Sequence, residues 1–284
     1  MYSARITRQN PTAFIFLIDR SGSMEERMTF GDTVVTKAEA VATVTNMLIR
    51  ELINRCRKED GIMDYFEIAA VGYSGDRAEM LLGTDNALVK PSALAHANVR
   101  KKMVSRELVL PDGTSVISNS EIKCWIEPGC EGNTPMRSAL EKALALASRW
   151  CRKPGNRSSY PPTVFNITDG EATDGDYDML TELASEIKSL GTDDGNVLLM
   201  NINISSGLQD ATVLFPDSKN DIPASRYADM LYDMSSVMPA EYDESILAIK
   251  NGGRPPFRAM GMNTSASGLI DMMNIGSRSI NRIL

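Results

Sequence analysis

Asp19, Ser21 and Ser23 stand at alternate positions in Asp-Arg-Ser-Gly-Ser, directly after the apolar run Ala13–Ile18. Alternation in a tight loop, with Gly22 free to take up the turn, brings one carboxylate and two hydroxyls towards a single point. Oxygen-only donors suit a hard divalent cation, and Mg2+ takes six oxygens in a near-octahedral array while readily keeping water among them. Thr134, in Glu-Gly-Asn-Thr-Pro-Met, and Asp169, in Asn-Ile-Thr-Asp-Gly, add a further hydroxyl and a further carboxylate. Such a donor set leaves the cation under-neutralised and one position open, which an Asp or Glu of another molecule can fill. Taken singly, each segment also reads as an ordinary turn or helix cap, because Asp, Ser and Thr are common there.

The elements that must position these residues follow from the apolar pattern. Ala13–Ile18 is a short unbroken apolar run, as expected of a strand buried on both faces. Residues 25–31 read as a loop, followed by a long helix capped at Asp32 or Thr33 and running to Arg57. Asp64–Tyr73 is a second strand. Residues 75–120 are the least legible, with a short helix at 92–104 and a hairpin at Glu107–Val116 turned at Pro111-Asp112-Gly113. Ile122–Ile126 reads as a short strand. Pro135 opens a helix through Trp150 that Pro154-Gly155 ends. A strand from Thr163 ends at Asp169-Gly170, a helix spans Tyr177–Leu190, and Asn196–Ile204 is a further strand. Prolines thin the signal over 205–256. Beyond it lie a helix at Asp243–Lys250, an extended segment at Phe257–Met262 and an amphipathic helix at Ser265–Ile283. The alternation predicts an α/β fold: a doubly wound, mostly parallel central sheet flanked by helices, with ligands at the carboxyl edge. No linker or repeat interrupts residues 1–284, which read as a single domain.

Three segments in this order, Asp19-Arg-Ser21-Gly-Ser23-Met, Gly132-Asn-Thr134-Pro-Met and Ile-Thr-Asp169-Gly-Glu, closely resemble the metal-ion-dependent adhesion site of von Willebrand factor type A (vWA) domains. The resemblance covers a core of residues 12–205, with an elaborated third-strand region at about 75–120, and fits 206–284 loosely. It implies that Ser21, Ser23 and Thr134 supply hydroxyl ligands to Mg2+ (or Mn2+ or Ca2+), and that Asp19 and Asp169 bind directly or through water. Arg20, Met24, Glu25, Glu26, Asn133 and Glu171 would form the rim that meets a partner. The implied function is that of stand-alone bacterial-type vWA proteins: an adaptor, not an enzyme, gripping a partner's acidic side chain. Its settings would be a MoxR-type AAA+ ATPase or a kinase with a PP2C-type phosphatase. A metal-dependent phosphohydrolase and a constitutive structural subunit are the alternatives. Against the phosphohydrolase stand the missing phosphate-cradling loop, nucleophile elbow and second metal cluster.

The bulk numbers narrow the field. A net charge of −7 argues against general nucleic-acid or anionic-membrane binding. No apolar run reaches membrane-spanning length and nothing reads as a signal peptide, so a cytoplasmic protein is expected. Cys56, Cys124, Cys130 and Cys151 form no Cys-x-x-Cys pair and read as reduced structural thiols. With one histidine, His96, a multi-histidine zinc site is excluded. Glu25, Glu26, Glu131, Glu171, Asp174, Asp176 and Asp178 crowd the expected rim, and the last three read as a helix-start cluster.

Overall fold

Strand β1 (Thr12–Asp19) is buried at every position, as its unbroken apolar sequence requires of a strand with neighbours on both sides. The computed structural model describes residues 2–109, 115–206, 211–250 and 252–277. After β1 come β2 (Arg27–Phe30), β3 (Thr33–Thr36) and α1 (Lys37–Arg55), then the ribbon β4 (Arg57–Lys58) and β5 (Gly61–Ile62). β6 (Phe66–Ser74), β7 (Arg77–Leu82), α2 (Pro91–His96), β8 (Lys101–Val109), β9 (Ser115–Lys123) and α3 (Met136–Cys151) follow. The next are β10 (Thr163–Thr168), α4 (Tyr177–Ser189), the ribbon β11 (Gly191–Thr192) and β12 (Gly195–Asn196), and β13 (Leu198–Ile204). The last are β14 (Val213–Leu214), α5 (Arg226–Met234), α6 (Asp243–Leu247), β15 (Met260–Thr264) and α7 (Ala266–Gly276).

Seven strands form one sheet in the order β14-β15-β13-β10-β1-β6-β7. The five inner strands are parallel, and β7 and β14 close the two edges antiparallel. Side chains alternate across the sheet. Phe14, Phe16 and Ile18 enter the apolar layer shared with α1 and α7, whereas Ile15 and Leu17 enter the layer shared with α3, α4 and α5. Phe16 stacks on Phe165 of β10, with centroids 5.1 Å apart and rings 10° from coplanar. Burial of each such ring is worth about 1.5–3 kcal/mol. The mixed α/β, mostly parallel sheet flanked by helices is the fold expected from the sequence.

Several local expectations are corrected. Residues 25–31 are not simply a loop, and the first helix does not start at Asp32 or Thr33. Met28 is buried, and Arg27–Phe30 pairs antiparallel with Thr33–Thr36 around Gly31, whose φ of +59° suits glycine. The β-branched residues Thr33, Val34, Val35 and Thr36 favour the strand. α1 starts one residue later than β3 ends, capped by Thr36, which accepts from Glu39 N at 3.1 Å and donates its own N–H to the Glu39 carboxylate at 2.9 Å. The helix expected at 92–104 shrinks to α2, because Ala97 turns extended and the chain from Lys101 joins the β8–β9 hairpin. That hairpin is longer than expected, its turn at 110–114 lies outside the described residues, and β9 absorbs Ile122 and Lys123, leaving 124–126 irregular. The weakly patterned region holds two further elements: β14, and α5, capped by Ser225 with Ala228, Leu231 and Met234 buried. The extended segment near 257–262 is β15, a fifth parallel strand. The methionine-rich α7 covers the sheet of its own chain through Leu269, Met272 and Met273, and residues 278–283 of the expected helix lie outside the described residues.

The irregular segment after β9 is held by one side chain of α1. Asn46 donates to Ile126 O at 2.7 Å and accepts from Trp125 N at 2.8 Å and Ile126 N at 2.9 Å. Asn46→Ala strands these buried backbone groups and is expected to cost about 3 kcal/mol in urea denaturation. Thr36→Ala, which removes a cap, is expected to cost about 1 kcal/mol. An Asn46→Ala loss no larger than that of Thr36→Ala would show that the bonds carry little of the fold's stability.

Candidate metal centre

From β1 the chain moves to β6 on one side of the sheet and later returns to β10 on the other, so the strand order reverses at the carboxyl ends of β1 and β10. A crevice at such a reversal is where open α/β sheets place ligands. Asp19 is the last residue of β1, and Asp169 directly follows β10. The Asp19 side chain is fully buried, with Oδ1 accepting from Ser21 N at 2.8 Å and Oδ2 from the Thr168 hydroxyl at 2.8 Å. Burial raises its pKa above the ordinary carboxylate range, a shift that hydrogen bonds from Ser21 and Thr168 oppose and the charge of Asp169 reinforces.

Beside this carboxylate lies a row of hydroxyls. Ser21 Oγ is 3.1 Å from Ser23 Oγ, and the Ser23 hydroxyl donates to Asp169 Oδ1 at 2.6 Å. Thr134 is buried, and its Oγ1 and that of Ser23 lie equally, 4.0 Å, from where a Cβ on Gly170 would stand. The loop carrying Thr134 is tied down from both sides. Gly132 O accepts from Gly22 N at 2.9 Å, and Thr134 O accepts from Thr173 N at 2.9 Å. Gly132 has φ of +71°, and any Cβ there would come within 2.8 Å of Gly75 Cα, so a side chain is excluded twice over. Below the site, Tyr73 OH donates to Asn166 Oδ1, Asn166 Nδ2 to Asn201 Oδ1 and Asn201 Nδ2 to Ser235 Oγ, each at 3.0 Å, bracing β6, β10 and β13 together.

The structure thus gathers Asp19, Ser21, Ser23, Thr134 and Asp169 at one sheet end. Adjacent oxygens of an octahedron with metal–oxygen bonds of 2.0–2.1 Å lie about 3 Å apart; the Ser21–Ser23 separation of 3.1 Å matches such an edge. These residues fit a hard divalent cation. Among the described residues no three His, Cys, Asp or Glu side chains cluster as a metal site.

The rim differs in part from expectation. Glu25, Glu26, Asn133 and Glu171 are exposed. Met24 is fully buried in the apolar layer under α1, and Arg20 turns away from the site to lie 3.6 Å from Glu79, its guanidinium against the backbone of Gly129. Met24 thus offers no surface at the rim, and Arg20 is engaged with Glu79. Asp174 accepts from Arg137 N and Ser138 N, both at 2.9 Å, and Asp176 accepts from Met179 N at 2.9 Å; both acids are helix caps. His96 lies exposed at the end of α2, its Nδ1 2.7 Å from Ser92 O.

Two residues of the site escape sequence reasoning. Thr168 orients Asp19, and nothing in the sequence distinguishes its hydroxyl from that of any strand-end threonine. Lys37 reaches Asp169 Oδ2 at 3.0 Å and Glu26 Oε2 at 2.6 Å. It does carry a signal: a cation at the first position of a helix opposes the helix dipole and needs a partner.

No family model and no curated protein matches the sequence. Among solved structures the likeness is to vWA domains and pilus proteins. A von Willebrand factor type A protein from Catenulispora acidiphila is 13% identical with a TM-score of 0.38, over 69% of this chain and 34% of that one. The vWF domain of the type V pili tip protein Mfa5 from Porphyromonas gingivalis is 11% identical with a TM-score of 0.34, over 60% and 40%. The PilB minor pilin from Streptococcus sanguinis is 9% identical with a TM-score of 0.37, over 71% and 51%. The chain therefore spans between a third and about half of the length of these structures. At these scores the comparisons carry no argument about function, which rests on the residues of the site.

The buried carboxylate makes a prediction. Because the folded-state pKa of Asp19 is raised, the folded protein binds that proton more tightly than the unfolded chain, so stability falls as pH rises from the unfolded pKa through the folded one. Above the folded pKa the metal-free protein carries the full cost. Asp19→Asn is therefore expected to raise the urea midpoint in EDTA at pH 7, with the gain shrinking towards pH 4. A lower midpoint at pH 7 would show the carboxylate to be net stabilising.

Proposed function

We propose that this protein is a metal-dependent protein-interaction module of vWA kind, which binds a partner by letting the partner's Asp or Glu complete the coordination of a divalent cation. The observation that carries the reading is the convergence of Asp19, Ser21, Ser23, Thr134 and Asp169 on the strand-order reversal, with three hydroxyls against two carboxylates. Mg2+ suits this set by size and by its readiness to keep water, and Mn2+ follows the same preferences. When bound, the ion would supply a Lewis-acidic position able to take one more anionic oxygen. Ser21, Ser23 and Thr134 would present hydroxyl oxygens to it, and the strand-end carboxylates would hold the charge. Asp19 is fixed by Ser21 N and Thr168, so its role is to orient and to neutralise.

The reading is of a binder and not an enzyme. The hydrogen-bonded set at the site contains hydroxyls, carboxylates and one ammonium, with no imidazole or thiol to move a proton or attack a substrate. Exposed Glu25, Glu131 and Glu171 around the opening favour a partner whose central carboxylate stands in a neutral or basic surround. The setting beside a MoxR-type AAA+ ATPase or a kinase and PP2C-type phosphatase comes from the resemblance of the three motif segments. A cytoplasmic site of action is supported by the cysteines. Cys56 and Cys124 are buried, Cys151 is half-buried and Cys130 exposed, all as free thiols. Burial pushes Cys56 up to about 12 and Cys151 to about 11, so both are inert packing residues. No helix among the described residues is long and apolar enough to cross a membrane.

The test is calorimetric titration with Mn2+ and Mg2+ beside affinity capture from the native host in Mg2+ or EDTA. Wild type is expected to bind the ions, and the Ser21→Ala, Ser23→Ala double variant to bind at least roughly tenfold more weakly, by loss of two of the ion's oxygens. A captured partner should be released by EDTA and by replacing its single contacting Asp or Glu with the amide. Partner binding indifferent to EDTA and to Thr134→Ala would overturn the reading, as would metal-dependent turnover of a phosphoester lost in Asp19→Ala.

A further inference from the structure

Lys37 opens α1, where the helix dipole disfavours a cation, and it is only 4% exposed. A buried ammonium is costly unless paired and hydrogen-bonded. Here it is held by two carboxylates from different loops, Asp169 Oδ2 at 3.0 Å and Glu26 Oε2 at 2.6 Å. Asp169 is shared: its other oxygen accepts from the Ser23 hydroxyl at 2.6 Å, so a single carboxylate connects the ammonium to the row of hydroxyls. Glu26 also accepts from the Ser206 hydroxyl at 3.0 Å, which anchors the pair to the loop after β13. Hydrogen bonds from Lys37 and Ser206 hold the Glu26 carboxyl below its ordinary range, so it is charged at neutral pH.

We infer that Lys37 is a resident cation that holds down the centre's affinity for divalent ions. The inference rests on the metal reading and concerns a residue outside the ligand set. Asp19, Asp169 and Glu26 bring negative charge; Lys37 cancels one unit of it and a divalent ion cancels the rest. Without Lys37 the same acids would hold the ion more tightly and leave net negative charge facing an incoming carboxylate. With it, the ion exchanges with solution, and partner binding follows the free cation concentration. A lysine kept only for packing would show none of this, since a methionine fills the same space.

Mn2+ binding by Lys37→Met, Lys37→Gln and Glu26→Gln, measured by calorimetry and by the thermal shift on adding Mn2+, tests the inference. Both Lys37 variants are expected to bind Mn2+ about tenfold tighter than wild type, because the positive charge bonded to Asp169 has gone. Their melting temperatures in EDTA should fall, and their gain on adding Mn2+ should exceed that of wild type. Glu26→Gln, on an exposed residue, removes negative charge and should weaken Mn2+ binding several-fold. Mn2+ bound by the Lys37 variants alone would support the inference in its strongest form. Wild-type binding with equal or weaker binding by both Lys37 variants would overturn it and leave the metal reading standing. Absence of Mn2+ binding in every protein would remove both. Should the Lys37 variants fail to fold, unchanged affinity in Glu26→Gln would overturn the inference.

Discussion

Asp19 is a carboxylate kept out of water at the end of a strand, with one oxygen bonded to the N–H of Ser21 and the other to the hydroxyl of Thr168. The first bond folds the loop back so that Ser21 and Ser23 rise beside the strand end; the second clamps β1 to β10. Burying a charge in this way is unfavourable in isolation, so the surroundings are built to tolerate it. The parallel register sets Ile18 beside Ile167, the amide relay from Tyr73 to Ser235 stiffens the strands underneath, and the loop of Thr134 is tied to the first loop through Gly22 and Gly132. The arrangement concentrates the cost of a buried charge at the open end of the strands, on a scaffold that is otherwise rigid.

The parts legible in the sequence are those whose chemistry is local. An unbroken apolar run specifies a doubly buried strand, and an acid at its end marks the carboxyl edge; the resemblance of three ordered segments to the vWA adhesion site then groups Asp19, Ser21, Ser23, Thr134 and Asp169. What stays hidden depends on partners far away in the chain. Glu79 draws Arg20 aside across 59 positions, the core takes Met24, and Lys37 finds Asp169 at a separation of 132 residues. The hairpin of β2 and β3 is masked because Asp32 and Thr33 are good caps in isolation; pairing of Val34 and Val35 with Met28 and Thr29 overrides that preference. α5 hides behind prolines at 216 and 223, although Ser225 and the spacing of Ala228 and Leu231 mark its start.

The acidic rim takes on a different character once its members are sorted by what they touch. Asp174 and Asp176 are spent on helix ends, Asp178 lies in the first turn of α4, and Glu26 is bound to Lys37 and Ser206, which leaves, among the described residues, Glu25, Glu131 and Glu171 as exposed charge around the opening. A cluster that looks uniform in the sequence therefore divides into structural acids and field-setting acids. Only the second group bears on what approaches.

β7 and β14 run against the parallel strands they border, and each is a poor template for further pairing. β14 has two residues; β7 carries Arg77 and Glu79, whose side chains remain 78% and 53% exposed. Charged or very short edges discourage another chain from adding to a sheet. A core of parallel strands this apolar would polymerise readily if its margins were open. With both margins blunted, pairing of a further strand is disfavoured at either edge, and the strand ends are the part of the sheet left open to other molecules.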